Sequence, residues 1–451
     1  MRKRCFSKCR GLKRSECGKP CTVVNEQYCR LSSTLKMVPP DCRVVKRKLS
    51  NSKSNSKSIR SLKKSSKMKR SRTFLKDTFC AESGVCRGKS GSLSDYFKMV
   101  EFTYAKTLKT SPIHLIEYER DGRFAYATLH NSEPNTNVAY EYLAGKFLNE
   151  LSKKTPSWLE TYGLFMYPDK KQRSLIQKDS DSRVSLASSL SPIYPEKYAM
   201  VCGNRELLCA LVQHIPSAKP LTQFVKNAHF FIHDALYVFY QVYFTLSMLR
   251  KVFTHYDLHC ENVLLYQPLT QGYIEYHYHL PKEVVRFNSF YLVKLQNYGK
   301  CFFKGSKQYI HSLRQESRCN PLEEHGFYYM VPGSEKHFIH GLQKNESHDL
   351  LLLKDYERLT RMKRHTNKYI QSFVQVFEDV VYVSREGTPE DMSMSSRIHK
   401  VSDVEKRLRS LIQDPVRQRL NQLSYEKYQK IGELHVYTNG KELEFLSQKN
   451  I

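Results

Sequence analysis

Apolar residues at positions 231, 235, 238, 239, 242, 246 and 249 recur three and four apart, which predicts a buried helix over 230–249. Tyr140, Leu143, Ala144, Phe147, Leu148 and Leu151 line one face in the same way and predict a helix over 138–151, entered through the turn residues of 134–137. Other stretches carry strand patterns. Segments 113–118 and 123–129 flank a turn at 119–122, and 159–167, 206–215 and 263–265 are short apolar runs. Further on, 272–280 and 284–290 read as a hairpin around Pro281, Lys282 and Glu283, followed by a strand over 291–295. Helix and strand patterns together give an α+β class. The Ser-rich stretch 169–197 reads as a surface insertion, and 216–220, bounded by two prolines, as a hinge.

The chain has 451 residues, 40% of them hydrophobic, enough for one large domain with a sizeable core and extensions. No stretch reads as a membrane span: the most apolar one, 230–249, contains His233, Asp234 and Gln241. The N-terminus lacks the apolar segment of a signal peptide, so an intracellular protein is expected. The net charge of +29 is uneven. Residues 1–76 hold 24 Lys plus Arg against 3 acidic residues, so +21 of it lies there. Segment 43–72 has no acidic residue and too few apolar ones to offset chain entropy, which predicts disorder. Its charge suits nucleic acid or an acidic protein, with a solvated linker as the alternative. No aromatic residues are interleaved to stack on bases. Six cysteines fall in 1–42: Cys5, Cys9, Cys17, Cys21, Cys29 and Cys42. The pairs Cys5/Cys9 and Cys17/Cys21 have a spacing that could hold a tetrahedral Zn²⁺. Free thiols or a disulfide-linked tail are the other readings.

The chemistry concentrates at 254–266, T-H-Y-D-L-H-C-E-N-V-L-L-Y, where His255, Asp257 and Asn262 stand as H-x-D-x-x-x-x-N. A phosphoryl acceptor needs a carboxylate to orient its hydroxyl and take the proton, a role open to Asp257. The nucleotide's magnesium needs an oxygen ligand facing the same space, which the Asn262 amide can offer. A chance triplet on a polar turn is the alternative. The flanks, a long buried helix before and a short apolar strand after, are the context such a loop needs. Segment 84–92, G-V-C-R-G-K-S-G-S, is one spacer short of G-x-x-x-x-G-K-[ST], and that deletion would misplace the amides that cradle phosphate. Gly88 and Gly91 instead match the last two glycines of G-x-G-x-x-G, with Cys86 at the first; a flexible linker is the alternative.

On these residues the chain resembles the protein-kinase-like (serine/threonine kinase-like) proteins of large nucleocytoplasmic DNA viruses, of iridovirus and ascovirus type. Tyr140-Glu141-Tyr142-Leu143, Leu159-Glu160-Thr161-Tyr162-Gly163, Ser347-His348-Asp349-Leu350 and K-I-G-E-L-H-V-Y over 430–437 are similar too, and the likeness covers roughly 97–445. It implies a bilobal fold, with a small β-rich lobe at 77–215 and a larger, mainly helical lobe at 216–451. These follow a cysteine-containing segment (1–42) and a basic linker (43–76). It implies ATP and Mg²⁺ as cofactors, a protein as substrate or partner, and host cytoplasm or virion as location. Residue by residue it implies Asp257 as base and Asn262 and Asn297 as metal ligands. Gly88, Gly91, His130 and Glu141 would sit at the nucleotide, with His255 and Asp349 as structural support.

Two positions depart from that pattern. The phosphate-binding lysine is His130, in Ala127-Thr128-Leu129-His130, and the magnesium-binding aspartate is Asn297, in Asn297-Tyr298-Gly299. Histidine is shorter and mostly neutral at pH 7, and asparagine offers a neutral oxygen where magnesium prefers a carboxylate. Losing one preorganised electrostatic contact costs about 3 kcal/mol, a hundredfold in rate. Lys146 or Lys89 could supply a substitute charge. The chain is thus expected to be a phosphotransferase of degraded activity or a pseudokinase scaffold, with residues 1–76 binding nucleic acid or an acidic protein.

Overall fold

The computed structural model describes residues 138–171, 207–215, 218–267, 272–305, 343–360, 368–382 and 398–447, with shorter strand segments at 21–24, 28–31, 87–88, 91–92, 105–107, 113–120, 123–131, 191–193, 327–330 and 336–339. The chain divides into two units, 1–67 and 68–451. In the first, Cys21–Val24 pairs antiparallel with Tyr28–Leu31, setting Cys21 opposite Leu31 and Cys29 opposite Val23. Cys5, Cys9, Cys17, Cys42 and the basic linker lie outside the described residues.

The second unit is a mixed α+β body. Six strands form an antiparallel sheet: β1 (Ala105–Thr107), β2 (Ile113–Arg120), β3 (Arg123–Asn131), β4 (Thr161–Met166), β5 (Ser191–Pro192) and β6 (Leu208–Gln213), in the spatial order β1-β2-β3-β6-β4-β5. Helix α1 (Val138–Leu151) packs on β4 and β6. It buries Tyr140, Leu143, Ala144 and Leu148, as its periodicity predicts, and approaches β4 so closely that a Cβ on Gly145 would collide with the Thr161 side chain. Strand β4 starts later than the pattern over 159–167 suggests. The preceding residues pair elsewhere: Leu295 N donates to Ser157 O at 2.7 Å and Leu159 N to Leu295 O at 3.3 Å.

The apolar stretch 230–249 is two helices, α2 (Ala228–His233) and α3 (Ala235–Leu249), parted at Asp234. The Asp234 carboxylate accepts from Tyr425 Oη at 2.8 Å. Helix α3 is buried all round, including Leu236, Tyr237, Tyr240, Gln241, Tyr243, Phe244 and Thr245, which the one-face reading left out. Its polar Gln241 is accommodated by backbone: Nε2 donates to Tyr291 O at 3.0 Å and Oε1 accepts from Val293 N at 3.1 Å.

Around α3 run β7 (Lys219–Pro220), β8 (Val263–Tyr266), β9 (Gly272–His279), β10 (Val284–Ser289) and β11 (Leu292–Leu295). Helices α4 (Leu351–Thr360), α5 (Lys368–Glu378), α6 (Val401–Gln413) and α7 (Pro415–Tyr425) follow, then β12 (Gln429–Tyr437) and β13 (Glu444–Ser447). Strands β7-β8-β11 form one small sheet and β10-β9-β12-β13 another, in which β9 and β12 are parallel. Among the described residues no helix is long and apolar enough to cross a membrane.

Strand β11 carries a buried charge. Lys294 Nζ donates to Trp158 O at 3.0 Å, and burial pulls the ammonium down to about 7 against the Glu160 carboxylate, which raises it. Lys294→Met is expected to cost about 3–5 kcal/mol in urea unfolding at pH 7, because the buried Glu160 loses this counter-charge. Adding Glu160→Leu should recover most of that. A lysine depressed in the folded state from 10.5 binds fewer protons there than in the unfolded chain. This group therefore makes stability rise from pH 7 toward 10, and Lys294→Met removes the rise. A single-variant cost under about 1 kcal/mol would sink the argument.

Candidate active site

The loop at 254–262 hangs from Asp349, a buried residue in the helical turn His348–Leu350. Its Oδ2 accepts from His255 N at 2.9 Å and its Oδ1 from Tyr256 N at 3.1 Å. Its carbonyl accepts from Tyr243 Oη at 3.1 Å, which ties the turn to α3. Burial pushes the Asp349 carboxyl up to about 7, against the two backbone donors. Tyr256 is held at φ +60, a left-handed conformation that costs a tyrosine about 1–2 kcal/mol and is sustained by these bonds. His255 is buried and neutral: burial lowers it to about 4. Its Nε2 lies 3.0 Å from Gln296 O and so carries the proton, which leaves Nδ1 to accept from Asp257 N at 3.3 Å. Cys260 N donates to Asp355 Oδ2 at 2.9 Å, a second anchor on α4.

Pairing of β8 with β11 sets Val263 opposite Leu295, so Asn262 and the residues after β11 come together; Gln296 N donates to Asn262 O at 3.2 Å. Asp257, almost fully buried, receives the converging groups. Its Oδ2 accepts from Asn297 Nδ2 at 3.0 Å and from Lys300 Nζ at 3.1 Å. Its Oδ1 makes no hydrogen bond, with His259 Nε2 at 3.7 Å. Asn262 Nδ2 donates to Asp257 O at 2.7 Å and lies 3.0 Å from His259 Nε2. These contacts use the amide nitrogen and leave the amide oxygen as the ligand-type atom. Asn297 sits at φ +69, the left-handed region that asparagine tolerates better than most residues. Next to it, Tyr298 is buried, donating to Leu295 O at 2.5 Å and accepting from Leu159 N at 3.0 Å.

A second pair sits between β3 and α1. His130 Nδ1 lies 3.1 Å from Glu141 Oε1. Burial alone would lower this imidazole, but the Glu141 charge and hydrogen bond outweigh it and raise it above its ordinary value. The helix that carries Glu141 is tied to the segment that carries Asn297 and Lys300. Tyr140 Oη donates to Cys301 O at 2.6 Å, and Tyr140 and Phe147 both pack on Phe303.

The structure thus gathers Asp257, Asn262 and Asn297 at one point, with His255 and Asp349 beneath them, and joins His130 to Glu141. Gly88 and Gly91 face each other in the antiparallel pair Arg87–Gly88 with Gly91–Ser92, a sheet separate from the six-stranded one. Cys86, Lys89 and 93–104 lie outside the described residues, and Lys146 lies on α1. The cation on Asp257 is Lys300. The sequence reading passed over it, as it did His259 and Asp355. His259 falls inside the 254–266 stretch, and Lys300 stands one residue past Asn297-Tyr298-Gly299. Only the β8–β11 register shows that those segments meet.

No family model matches this chain, and no curated protein matches it. Chemically, a buried carboxylate holding an ammonium and an amide, with an orphaned oxygen, can accept a proton beside a site for an anionic group.

Proposed function

We propose that residues 77–451 are a bilobal protein-kinase-like phosphotransferase that moves the γ-phosphoryl group of ATP to a Ser or Thr hydroxyl of a protein. The observation that carries this reading is the convergence on Asp257 of Asn297 and Lys300, in a loop hung from a buried aspartate. In this reading the six-stranded sheet with α1 is the smaller lobe, the body around α3 is the larger, and β7 is the hinge. Asp257 takes the acceptor's proton as the hydroxyl oxygen bonds to phosphorus and the bond to the β-phosphate oxygen breaks, releasing ADP. Lys300, fixed beside Asp257, stabilises the charge that develops on the transferred group. The donor set suits Mg²⁺ weakly: the amide oxygens of Asn262 and Asn297 would hold it, and it would neutralise the phosphates. The basic segment 1–76 would recruit a nucleic acid or acidic protein.

A pseudokinase scaffold is the second reading. It is favoured by the Asn297 amide donating to Asp257, a contact that needs neither metal nor nucleotide. The deciding experiment is γ-phosphate transfer from ATP to a generic basic protein by the full chain, with Asp257→Asn as blank. Transfer at least about 10³-fold above the blank is expected. A wild-type rate equal to the blank, with ATP still raising the melting temperature, would leave the scaffold reading standing.

A further inference from the structure

Away from this site, β9 and β12 run parallel with Glu275 opposite Glu433 and His277 opposite His435. The two-residue alternation turns Ile274, Tyr276, Tyr278, Leu434 and Val436 into the core. It gathers Glu275, His277, His279, Glu433 and His435 on the other face. There His435 Nε2 is 3.3 Å and His277 Nε2 3.8 Å from Glu433 Oε2, and the three ligand-type atoms all lie within 4.8 Å of one another. Bonds of about 2.0–2.1 Å to a tetrahedral ion put ligand atoms about 3.3–3.4 Å apart, so small side-chain rotations close this set around one.

Two further observations point the same way. His435 Nδ1 lies 2.9 Å from His279 Nε2. When Nδ1–H donates across that contact, the lone pair of His435 Nε2 is bare; this nitrogen is buried and makes no hydrogen bond. An outer-shell bond of this kind is what orients a metal-binding imidazole. The face is also already cation-seeking. The single ammonium of Lys430 bridges Glu275 and Glu433, two carboxylates for one positive charge.

We propose that His277 Nε2, His435 Nε2 and the Glu433 carboxylate bind a zinc-class divalent ion, with Glu275 or water as the fourth ligand, clamping strand β12 to the β9–β10 hairpin. The site is independent of the phosphotransfer reading. Co²⁺ titration of the full chain tests it, because tetrahedral Co²⁺ absorbs in the visible and thiolate ligands add a distinct near-ultraviolet band. One Co²⁺ with the visible band and no thiolate band is expected, with a rise in melting temperature. His277→Gln/His435→Gln should abolish both. Lys430→Met, which removes the competing cation, should tighten binding at least about fivefold. The proposal is overturned if the chain binds no Co²⁺, if every bound Co²⁺ carries the thiolate band, or if the double glutamine variant binds as the wild type does.

Discussion

Lys300→Met is expected to lower phosphoryl transfer by about 10²–10³-fold while leaving the fold intact. The ammonium lies 3.1 Å from Asp257 Oδ2, and its side chain is 26% exposed, so it is a site cation rather than a core residue. Its loss leaves Oδ2 the Asn297 amide as a donor, and a partly exposed ion pair contributes about 0–1 kcal/mol to stability. The kinetic effect is far larger because of where negative charge spreads in the transition state. An ammonium already fixed beside Asp257 meets that charge without reorganisation. The expected signature is a fall in kcat with little change in KM for the protein acceptor, since the contact strengthens only as the reaction proceeds. Lys300→Arg, which keeps the charge, should retain part of the rate. A methionine variant with wild-type kcat would mean that another residue supplies the cation.

The parts of the fold legible in the sequence are those whose cause is local. The face Tyr140, Leu143, Ala144, Phe147, Leu148 and Leu151 is a three-and-four repeat, and α1 buries four of the six fully and Phe147 and Leu151 in part. The hairpin around 281–283 is punctuated by its own proline. The parts that were not legible have distant causes. The break between α2 and α3 falls at Asp234, whose carboxylate is bonded to Tyr425, 191 positions along the chain. Helix α3 is buried on all sides because strands and α6 surround it, and one helix's periodicity cannot report neighbours on its other faces. In the candidate site, H-x-D-x-x-x-x-N is a single stretch and reads directly. Lys300 reaches Asp257 only through the β8–β11 register, and His277 meets His435 only through a parallel pairing between strands far apart in the chain.

Restoring the two altered charges together should raise transfer more than the product of the two separate gains. His130 Nδ1 already lies 3.1 Å from Glu141 Oε1, so His130→Lys keeps that partner and adds a longer side chain whose ammonium can extend to a phosphate. Asn297→Asp acts differently. It replaces an amide that donates to Asp257 Oδ2 at 3.0 Å with a carboxylate facing a carboxylate. Without a metal ion that variant should melt below the wild type. With Mg²⁺ the same repulsion becomes a metal site. ATP should therefore stabilise the wild type with little dependence on Mg²⁺ and stabilise Asn297→Asp with a strong one. Each restored contact is worth about a hundredfold in rate, and both act on one metal–nucleotide unit, so the double variant should gain on the order of 10⁴-fold or more. The measurement is transfer to a basic protein across the four-member cycle, with Asp257→Asn as blank. A double variant that binds Mg²⁺ and ATP yet stays at the blank would locate the defect elsewhere, with the loop carrying Gly88 and Gly91 the first place to look. A double variant that gains no more than the product of the singles would show that residues 130 and 297 do not act on the same bound nucleotide.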